Sequence, residues 1–505
     1  MAERPEQSKG QEQHERPLDE LLEHRREKLA RLLSKGINPY PYKFERTHFS
    51  EEIKSGFAVL EEKEVKVAGR IRSFREHGKS TFFHIQDDLG QIQIYAKADV
   101  LVAQYELLND LDIGDFVGIT GAVFKTHKGE ISVRVAKLEV LAKSLRPLPE
   151  KWHGLKDVEL RYRQRFVDLI VTFGVKEVFV KRTAIYRAMR EYLDGQGFLE
   201  VETPILQPLY GGATARPFKT FHNALGIPLF LRIADELYLK RLIVGGYEKV
   251  YEVCKDFRNE GIDRFHNPEF SMMELYWAYH DYRDIMKLTK NLIVHIAQKV
   301  LGSLEVPYQG KMINLAGEWK EISLLDSIKE ATGLDCLAMD EKGLASATRK
   351  LGLEVPTNPS WGVLVDILFS EKVQPGLQNP TFVIDYPAEI SPLAKKHRSN
   401  PRLTERFELF IMGQEMANAF SELNDPLDQR ERFAQQLALK EKGDEEAHVL
   451  DEDYLNALEF GMPPTGGLGL GLDRLVMFLT DQPSIRDVLF FPQMRPLGHE
   501  PPEGI

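Results

Sequence analysis

The stretch "RNEGIDRFHNPEF" (Arg258–Phe270) decides how this chain folds. It carries two arginines, a histidine, and a phenylalanine on each side of His-Asn-Pro-Glu. Ahead of it, "KVYEVCKDF" (249–257) alternates apolar and polar residues, and behind it "PEFSMMELYWAY" (268–279) does the same. Period-two alternation predicts two strands, with the quoted stretch as the hairpin loop above a sheet. An arginine at the base of such a loop offers a planar fork to phosphate or carboxylate. A nearby glutamate can orient that fork, and Phe270 can stack on a base. Charged surface loops are common, and Phe270 alone reads equally well as core.

Three further stretches carry the same kind of double reading. "GGLGLGLDRLVMFL" (466–479) places glycines at 467, 469 and 471 ahead of Arg474. It is not a dinucleotide fingerprint, and alone it reads as a glycine-rich packing strand or as a place of close backbone approach to a ligand. "ERFELFIMGQEMANAFSELND" (405–425) repeats a glutamate every seven residues, at Glu408, Glu415 and Glu422, among apolar neighbours. Carboxylates in such surroundings need a metal, an ammonium or an arginine. Salt bridges to structural arginines are the plain alternative. "FLEVETPIL" (198–206) reads as a strand ended by Pro204 and says nothing of chemistry by itself.

Upstream the pattern changes. "EVKVAGRIRSF", "TFFHIQDDLGQIQIYAK", "DFVGITGAVFKT" and "EISVRVAKLEVL" are short alternating segments within about eighty residues. That density predicts a small closed barrel of the OB-fold type, a fold that binds oligonucleotides on one face. Arg70, Arg72, Arg75, Phe82, Phe83 and Tyr95 suit stacking and phosphate contact, although alternation sends about half of them inside. "HGKST" resembles the end of a phosphate-binding loop, but Ser73 stands where that loop needs its first glycine, so it is set aside. "LDELLEHRREKLARLLSKG" (18–36) has leucines at helical spacing and a basic face of Arg25, Arg26, Lys28 and Arg31, open to a polyanion or simply solvated on a packed helix.

The 505 residues suggest two to four domains at roughly 150 residues each. The expected division is a disordered segment and amphipathic helix over 1–60, a barrel over 61–144, a Pro-rich linker over 145–162, and an α+β domain on a largely antiparallel sheet over 163–505. Lys+Arg number 66 against 77 Asp+Glu, a net charge of −11, which argues against a simple nucleic-acid coat but leaves room for a local basic surface. The two cysteines, Cys254 and Cys336, form no metal-binding spacing and fit a reducing cytoplasm. The polar segment 1–17 has no apolar signal core, and no run is long enough to span a membrane.

Taken in order, these stretches resemble the class II aminoacyl-tRNA synthetases. "GFLEVETPIL" is similar to motif 1, "FRNEG…HNPEF" to motif 2, and "GLGLGLDRL" to motif 3. The barrel resembles the anticodon-binding domain of the lysine, aspartate and asparagine subclass. "RPFKTFHNAL", "RIADELYLKRL", "HNPEFSMMELY" and "NAFSELNDP" resemble the lysyl-tRNA synthetases in particular. The resemblance implies a lysine–tRNA ligase that activates L-lysine with ATP and charges tRNA(Lys), working as a cytoplasmic homodimer with Mg2+, more than one ion per active site.

Residue by residue, the resemblance implies that Arg258 holds the α-phosphate and the substrate carboxylate, and that Arg474 holds the γ-phosphate. It assigns Glu260, His266, Asn267 and Phe270 to ATP, with Phe270 on adenine. It assigns Glu408 and Glu415 to magnesium, and Glu236, Tyr276 and Glu422 to the lysine ε-ammonium. Glu274, Asn418 and the backbone at Gly212 fall around the α-amino and carboxylate groups. Phe82, Gln93 and Glu130 fall where the family reads the central anticodon base, with Arg70 beside them as a phosphate contact. Without a ligand ammonium, Glu236 and Glu422 are expected to stand buried and unpaired, which rejects neutral side chains. Asp235 stands where proline is frequent, and its carboxylate either shifts the pocket's electrostatics or faces solvent. Met416, Ala417 and Ala419 depart from common forms in ways expected to alter packing only.

An aspartate or asparagine enzyme of the same subclass would need a different pocket. The shortened relative that modifies a translation factor lacks the barrel. A non-catalytic module would have lost Arg258, Arg474 or the metal glutamates, and all are present. Diadenosine polyphosphate synthesis is a side activity that the chemistry permits.

Overall fold

The structure is a computed structural model, and its described residues are 17–149, 155–441 and 449–498. The expected disorder of 1–17 lies, up to residue 16, outside them, as does part of the expected linker. The chain forms two compact units, residues 1–156 and 157–505. Among the described residues no helix is long and apolar enough to cross a membrane.

In the first unit, strands β1 (Glu64–His77), β2 (Ser80–Gln86), β3 (Gln91–Lys97), β4 (Phe116–Lys125) and β5 (Ile131–Ala142) close into a barrel in the order β1-β2-β3-β5-β4. Alternation sorts the aromatics. Phe83 is fully buried among Val67, Ile85, Ile94 and Val133, whereas Phe82, one residue earlier, faces outward. Helix α1 (Leu18–Ser34) forms as its leucine spacing predicts, and the Gly36 N–H closes on the Leu33 carbonyl at its end. Its basic face is largely spent within the unit. Arg25 is buried and donates to the carbonyls of Ile113, Ser144 and Arg146. Lys28 pairs with Asp112 at 2.7 Å and Arg31 with Asp110 at 2.8 Å. Packing thus decides against a polyanion surface for three of the four residues.

The second unit is built on an eight-stranded sheet. In chain order the strands are β6 (Leu199–Glu200), β7 (Lys249–Phe257), β8 (Glu269–Ala278), β9 (Lys320–Ser323), β10 (Thr381–Ile384), β11 (Arg406–Ile411), β12 (Gln414–Ser421) and β13 (Thr465–Gly471). Their order in space is β9-β10-β11-β12-β13-β8-β7-β6. All neighbours are antiparallel except the two edge pairs, β9–β10 and β6–β7. One face packs Met273, Leu275, Leu468 and Leu470 against Ile285, Leu292 and Ile296 of helix α3 (Tyr282–Leu301). The alternate residues, including Phe270, Met272, Glu274 and Tyr276, line a cavity on the other face.

Two local expectations change. Only Leu199–Glu200 of "FLEVETPIL" joins the large sheet, while Leu206–Gln207 pairs in a separate three-stranded sheet, because Pro204 interrupts between them. The end of the expected linker is helical over Val158–Arg163, because the Asp157 carboxylate caps the N–H groups of Glu159 and Leu160.

Candidate active site

The hairpin predicted from the sequence forms. Phe257 of β7 faces Glu269 of β8, and the Arg258 N–H donates to the Pro268 carbonyl at 2.8 Å, so the loop begins at Arg258. It overhangs a cavity of ≈ 330 Å³. Of the predicted catalytic-unit residues, the cavity gathers Gly212, Glu236, Arg258, Glu260, His266, Asn267, Phe270, Glu274, Tyr276, Glu415, Asn418, Glu422 and Arg474 on its walls. Glu408 is not on the wall. It stands behind Arg406, which is.

At the loop end, the Arg258 guanidinium lies 5.0 Å over the Phe270 ring. Its Nε donates to the Ile233 carbonyl at 3.4 Å. Arg474 comes from helix α4 (Leu472–Leu479), directly after the glycine-rich β13. Its Nη1 donates to the Glu415 carbonyl at 2.8 Å and pairs with the Glu415 carboxylate at 3.2 Å. Its Nη2 lies 3.1 Å from His266 Nε2, and His266 Nδ1 lies 2.7 Å from Asp263 Oδ2. A guanidinium can only donate, so His266 Nε2 accepts, and its proton sits on Nδ1 facing Asp263. In that tautomer the imidazole is a strut between Asp263 and Arg474. Asn267 is buried and donates to the Glu269 carbonyl, while Glu260 is exposed at the rim.

The other end is buried and acidic. Glu236 opens helix α2 (Glu236–Val244), and Glu422 follows β12. Both carboxylates form ion pairs with the fully buried Lys240 ammonium, so the expectation that they stand unpaired is corrected. Lys240 reaches Glu236 because residues four apart share one helix face. Burial works against the Lys240 ammonium, yet Glu236 and Glu422 together hold its pKa above the usual lysine range. Burial pushes Glu236 and Glu422 up, with Lys240 pulling the other way. Tyr276 donates to Glu274 at 3.0 Å. A Cβ on Gly467 would collide with Glu422 and the Tyr276 ring, which explains a glycine there. Gly212, at φ +89°, passes so close that a Cβ would meet Ala234 at 2.9 Å and Glu236 at 3.2 Å.

Glu408 and Glu415 stand on the adjacent strands β11 and β12, near a β-bulge at Leu409/Phe410. Glu408 pairs with Arg406 at 2.6 Å and accepts from Tyr386 at 2.9 Å. Burial, reinforced by Glu415 and opposed by Arg406, leaves Glu408 pushed up to about 7. Arg406 also donates to Asn418 at 3.0 Å. Met416 and Ala417 are buried and Ala419 is wholly buried, all three within the core, and Met416 also lines the cavity.

Sequence reasoning missed Lys240 and Arg406 as parts of the site. Each had a local signal. Lys240 stands one helical turn after Glu236, and Arg406 stands two residues before Glu408 on a strand, hence on the same face. Asp235 is completely buried, so it does not face solvent.

On the barrel, Phe82 stacks on Tyr95 at 4.8 Å. Gln93 donates to Glu130 at 2.7 Å, and His84 meets the other Glu130 oxygen at 2.9 Å. Phe82 and Gln93 lie on the paired strands β2 and β3, so these three residues share one region. Arg70 is placed apart. It faces Gln86 in the strand register, donates to the Gly114 carbonyl at 2.9 Å, and lies 4.2 Å over Phe116.

Residues 157–495 match the family of class II tRNA synthetases (D, K and N), and residues 65–141 match the OB-fold nucleic acid binding domain. A lysine–tRNA ligase of Carboxydothermus hydrogenoformans is 61% identical over 481 residues, covering 95% of this chain and 99% of the relative. One from Pelotomaculum thermopropionicum is 58% identical over 95% of this chain and 96% of its own length. One from Bacillus subtilis is 54% identical over 96% of this chain and 99% of its own length. With an OB-fold barrel, an antiparallel catalytic sheet and these matches along nearly its whole length, the chain belongs to the class II tRNA synthetases of the D, K and N group.

Proposed function

We propose that this protein is a lysine–tRNA ligase: it joins L-lysine to ATP as lysyl-adenylate, releasing pyrophosphate, and passes lysine to the 3′ end of tRNA(Lys). The observation that carries this reading is a single cavity with arginines at one end and a buried carboxylate pocket at the other. The names of its relatives support it.

The first step is attack of an ionised carboxylate on the α-phosphorus. The nucleophile is already deprotonated, so positioning and charge neutralisation supply the catalysis. Arg258 neutralises the α-phosphate and the attacking carboxylate, and Arg474, held by His266 and Glu415, takes the γ-phosphate. Phe270 stacks on adenine, with Glu260 and Asn267 beside it. Glu274, Asn418 and the Gly212 backbone hold the α-amino and carboxylate groups. Tyr276, Glu236 and Glu422 receive the ε-ammonium.

The pocket's charge fits that cargo. Two carboxylates against one internal ammonium leave room for one more positive charge. An aspartate side chain would add repulsion, a neutral one would leave the charge unbalanced, and arginine is excluded by shape.

Glu408 and Glu415 suit Mg2+. They are hard oxygen donors on neighbouring strands, and Glu415 stands beside the phosphate-binding Arg474. Bound there, magnesium would supply positive charge to the triphosphate. On the barrel, Phe82 offers a stacking face, and the Gln93–Glu130 pair offers hydrogen bonds to the central anticodon base. The exposed Leu199, Ile205, Leu206 and Leu209 of the motif 1 region support a homodimer through that segment. Two buried free cysteines fit the cytoplasm.

The test is charging of a total tRNA pool by the full chain with ATP and each of lysine, aspartate and asparagine. Lysine attached to tRNA(Lys) alone is the expected result, and attachment of either of the others would overturn the amino-acid assignment.

A further inference from the structure

Behind the amino-group end of the cavity lies a second, closed set of acids. Glu252, Cys254 and Asp256 project from one face of β7, and Glu274 stands opposite Glu252 on β8. Asp235 reaches them from the residue before helix α2. Aspartate there would ordinarily cap the helix, yet its carboxylate accepts no N–H of α2. It turns into the acids instead. Asp235, Cys254 and Asp256 bring one ligand atom each within 4.8 Å of one another, and the Asp235 and Glu274 carboxyls lie within hydrogen-bonding reach. Asp235 is completely buried, and neither of its oxygens meets an N–H or O–H donor among the described residues.

Two carboxylates facing each other without a donor are both acceptors, and only a proton between them makes the contact attractive. The charge balance agrees. Asp235, Glu252, Asp256 and Glu274 face two guanidinium groups. Arg232 pairs with Glu252 at 2.6 Å and Asp256 at 3.5 Å, and Arg258 acts on Asp256. Around them stand Glu236, which adds negative charge, the Thr203 hydroxyl on Glu252, the Tyr276 hydroxyl on Glu274, and the Cys254 thiol, which burial keeps protonated. An α-ammonium docked on Glu274 adds a third positive charge, and one proton then balances the four carboxyls, the Glu236 charge being met by Lys240.

We propose that Asp235 and Glu274 share one proton, which moves from Glu274 onto Asp235 when the substrate α-ammonium docks, so that Asp235 is a positioning residue for amino-group recognition. The inference rests on the assignment of Glu274 to the α-amino group made above. The transfer is internal: Glu274 gains the negative charge that the ammonium meets, and Asp235 becomes neutral. Burial first, then the charges of Asp256 and Glu252, hold Asp235 up at about 8, and burial and Asp235 likewise raise Glu274 well above the usual range. Above that range the pair loses its proton and carries two charges, so lysine binds more tightly as pH rises through it.

The experiment measures KM for lysine and for ATP by pyrophosphate exchange from pH 6.5 to 8.5 in the wild type, Asp235→Asn, Asp235→Ala and Glu274→Gln. In the wild type, KM for lysine is expected to fall about fivefold across this range while KM for ATP stays level, because a one-unit pKa shift on binding corresponds to about tenfold in affinity. Both Asp235 variants should flatten the lysine profile to within about twofold, and Glu274→Gln should raise KM for lysine at every pH. If Glu274→Gln leaves KM for lysine unchanged, Glu274 is not the amino subsite and the underlying assignment fails. If Glu274→Gln raises it but the Asp235 profiles superimpose on the wild type, the assignment stands and the shared proton is overturned. Equal shifts of both KM values in the Asp235 variants would make the residue structural and also overturn the proposal. Thermal unfolding gives a second readout without substrate. A carboxyl with a raised folded-state pKa loses stability as pH climbs toward it, so the Tm of Asp235→Asn should gain on the wild type from pH 5.5 to 8, and a constant difference would contradict the proposal.

Discussion

The two ends of the cavity use charge in opposite ways. At the loop end, Arg258, His266 and Arg474 sit at or near the surface, and their hydrogen bonds run to backbone carbonyls, to one another or to exposed acids. At the amino-acid end, Glu236, Glu274, Glu422, Asp235 and Lys240 are all buried. Open guanidinium groups bind phosphate by geometry and tolerate solvent. Buried carboxylates are intolerant, because any mismatch in charge leaves an ion without compensation. On the proposed assignment, the loop end governs rate, and the buried end governs which amino acid is admitted.

The largest effect expected from this division is at Arg258. Arg258→Ala should lower lysine-dependent exchange about a thousandfold, at the upper end of what loss of one transition-state charge partner removes, while the unfolding transition stays within about 1 kcal/mol of the wild type. Exchange near the wild-type rate would remove Arg258 from the chemistry. Next is Lys240. Lys240→Met strands Glu236 and Glu422 together, and breaking such a buried pair costs about 3–5 kcal/mol. The loss should be greatest at pH 8 and smaller at pH 6, because the stranded carboxylates, already raised by burial, take up a proton as pH falls. Denaturant unfolding at the two pH values reads this, and an equal loss at both would mean that Lys240 acts by packing rather than by charge.

How far the sequence reveals these two ends differs for a physical reason. The hairpin, the strand alternation and the heptad-spaced glutamates are local patterns, and the barrel strands and the Arg258 loop follow from them. Alternation also settles which of Phe82 and Phe83 is core once the register is known. Lys240 is different. Its partner Glu422 is far along the chain, and only the fold brings the two together. The same holds for Asp235 against Glu274, and for the basic face of α1, which long-range pairing with Asp110 and Asp112 consumes. The expectation of unpaired pocket carboxylates failed because one-turn spacing signals only the Glu236–Lys240 pair, whereas the fold alone brings Glu422 to the same ammonium.

The smallest effect extends the comparison to the barrel. Phe82→Ala removes a stacking face of roughly 1–3 kcal/mol per base, so tRNA charging should lose about tenfold in kcat/KM while exchange without tRNA is unchanged. Equal loss in both assays would make Phe82 structural.

On the proposed reading, the buried end admits one side-chain ammonium. Amino-acid-dependent ATP–pyrophosphate exchange with lysine, ornithine, arginine, aspartate and asparagine, with magnesium present, tests it most directly. Strong exchange with lysine, weaker exchange with ornithine, and background with the other three are expected. Exchange with aspartate or asparagine at the rate of lysine would contradict that reading.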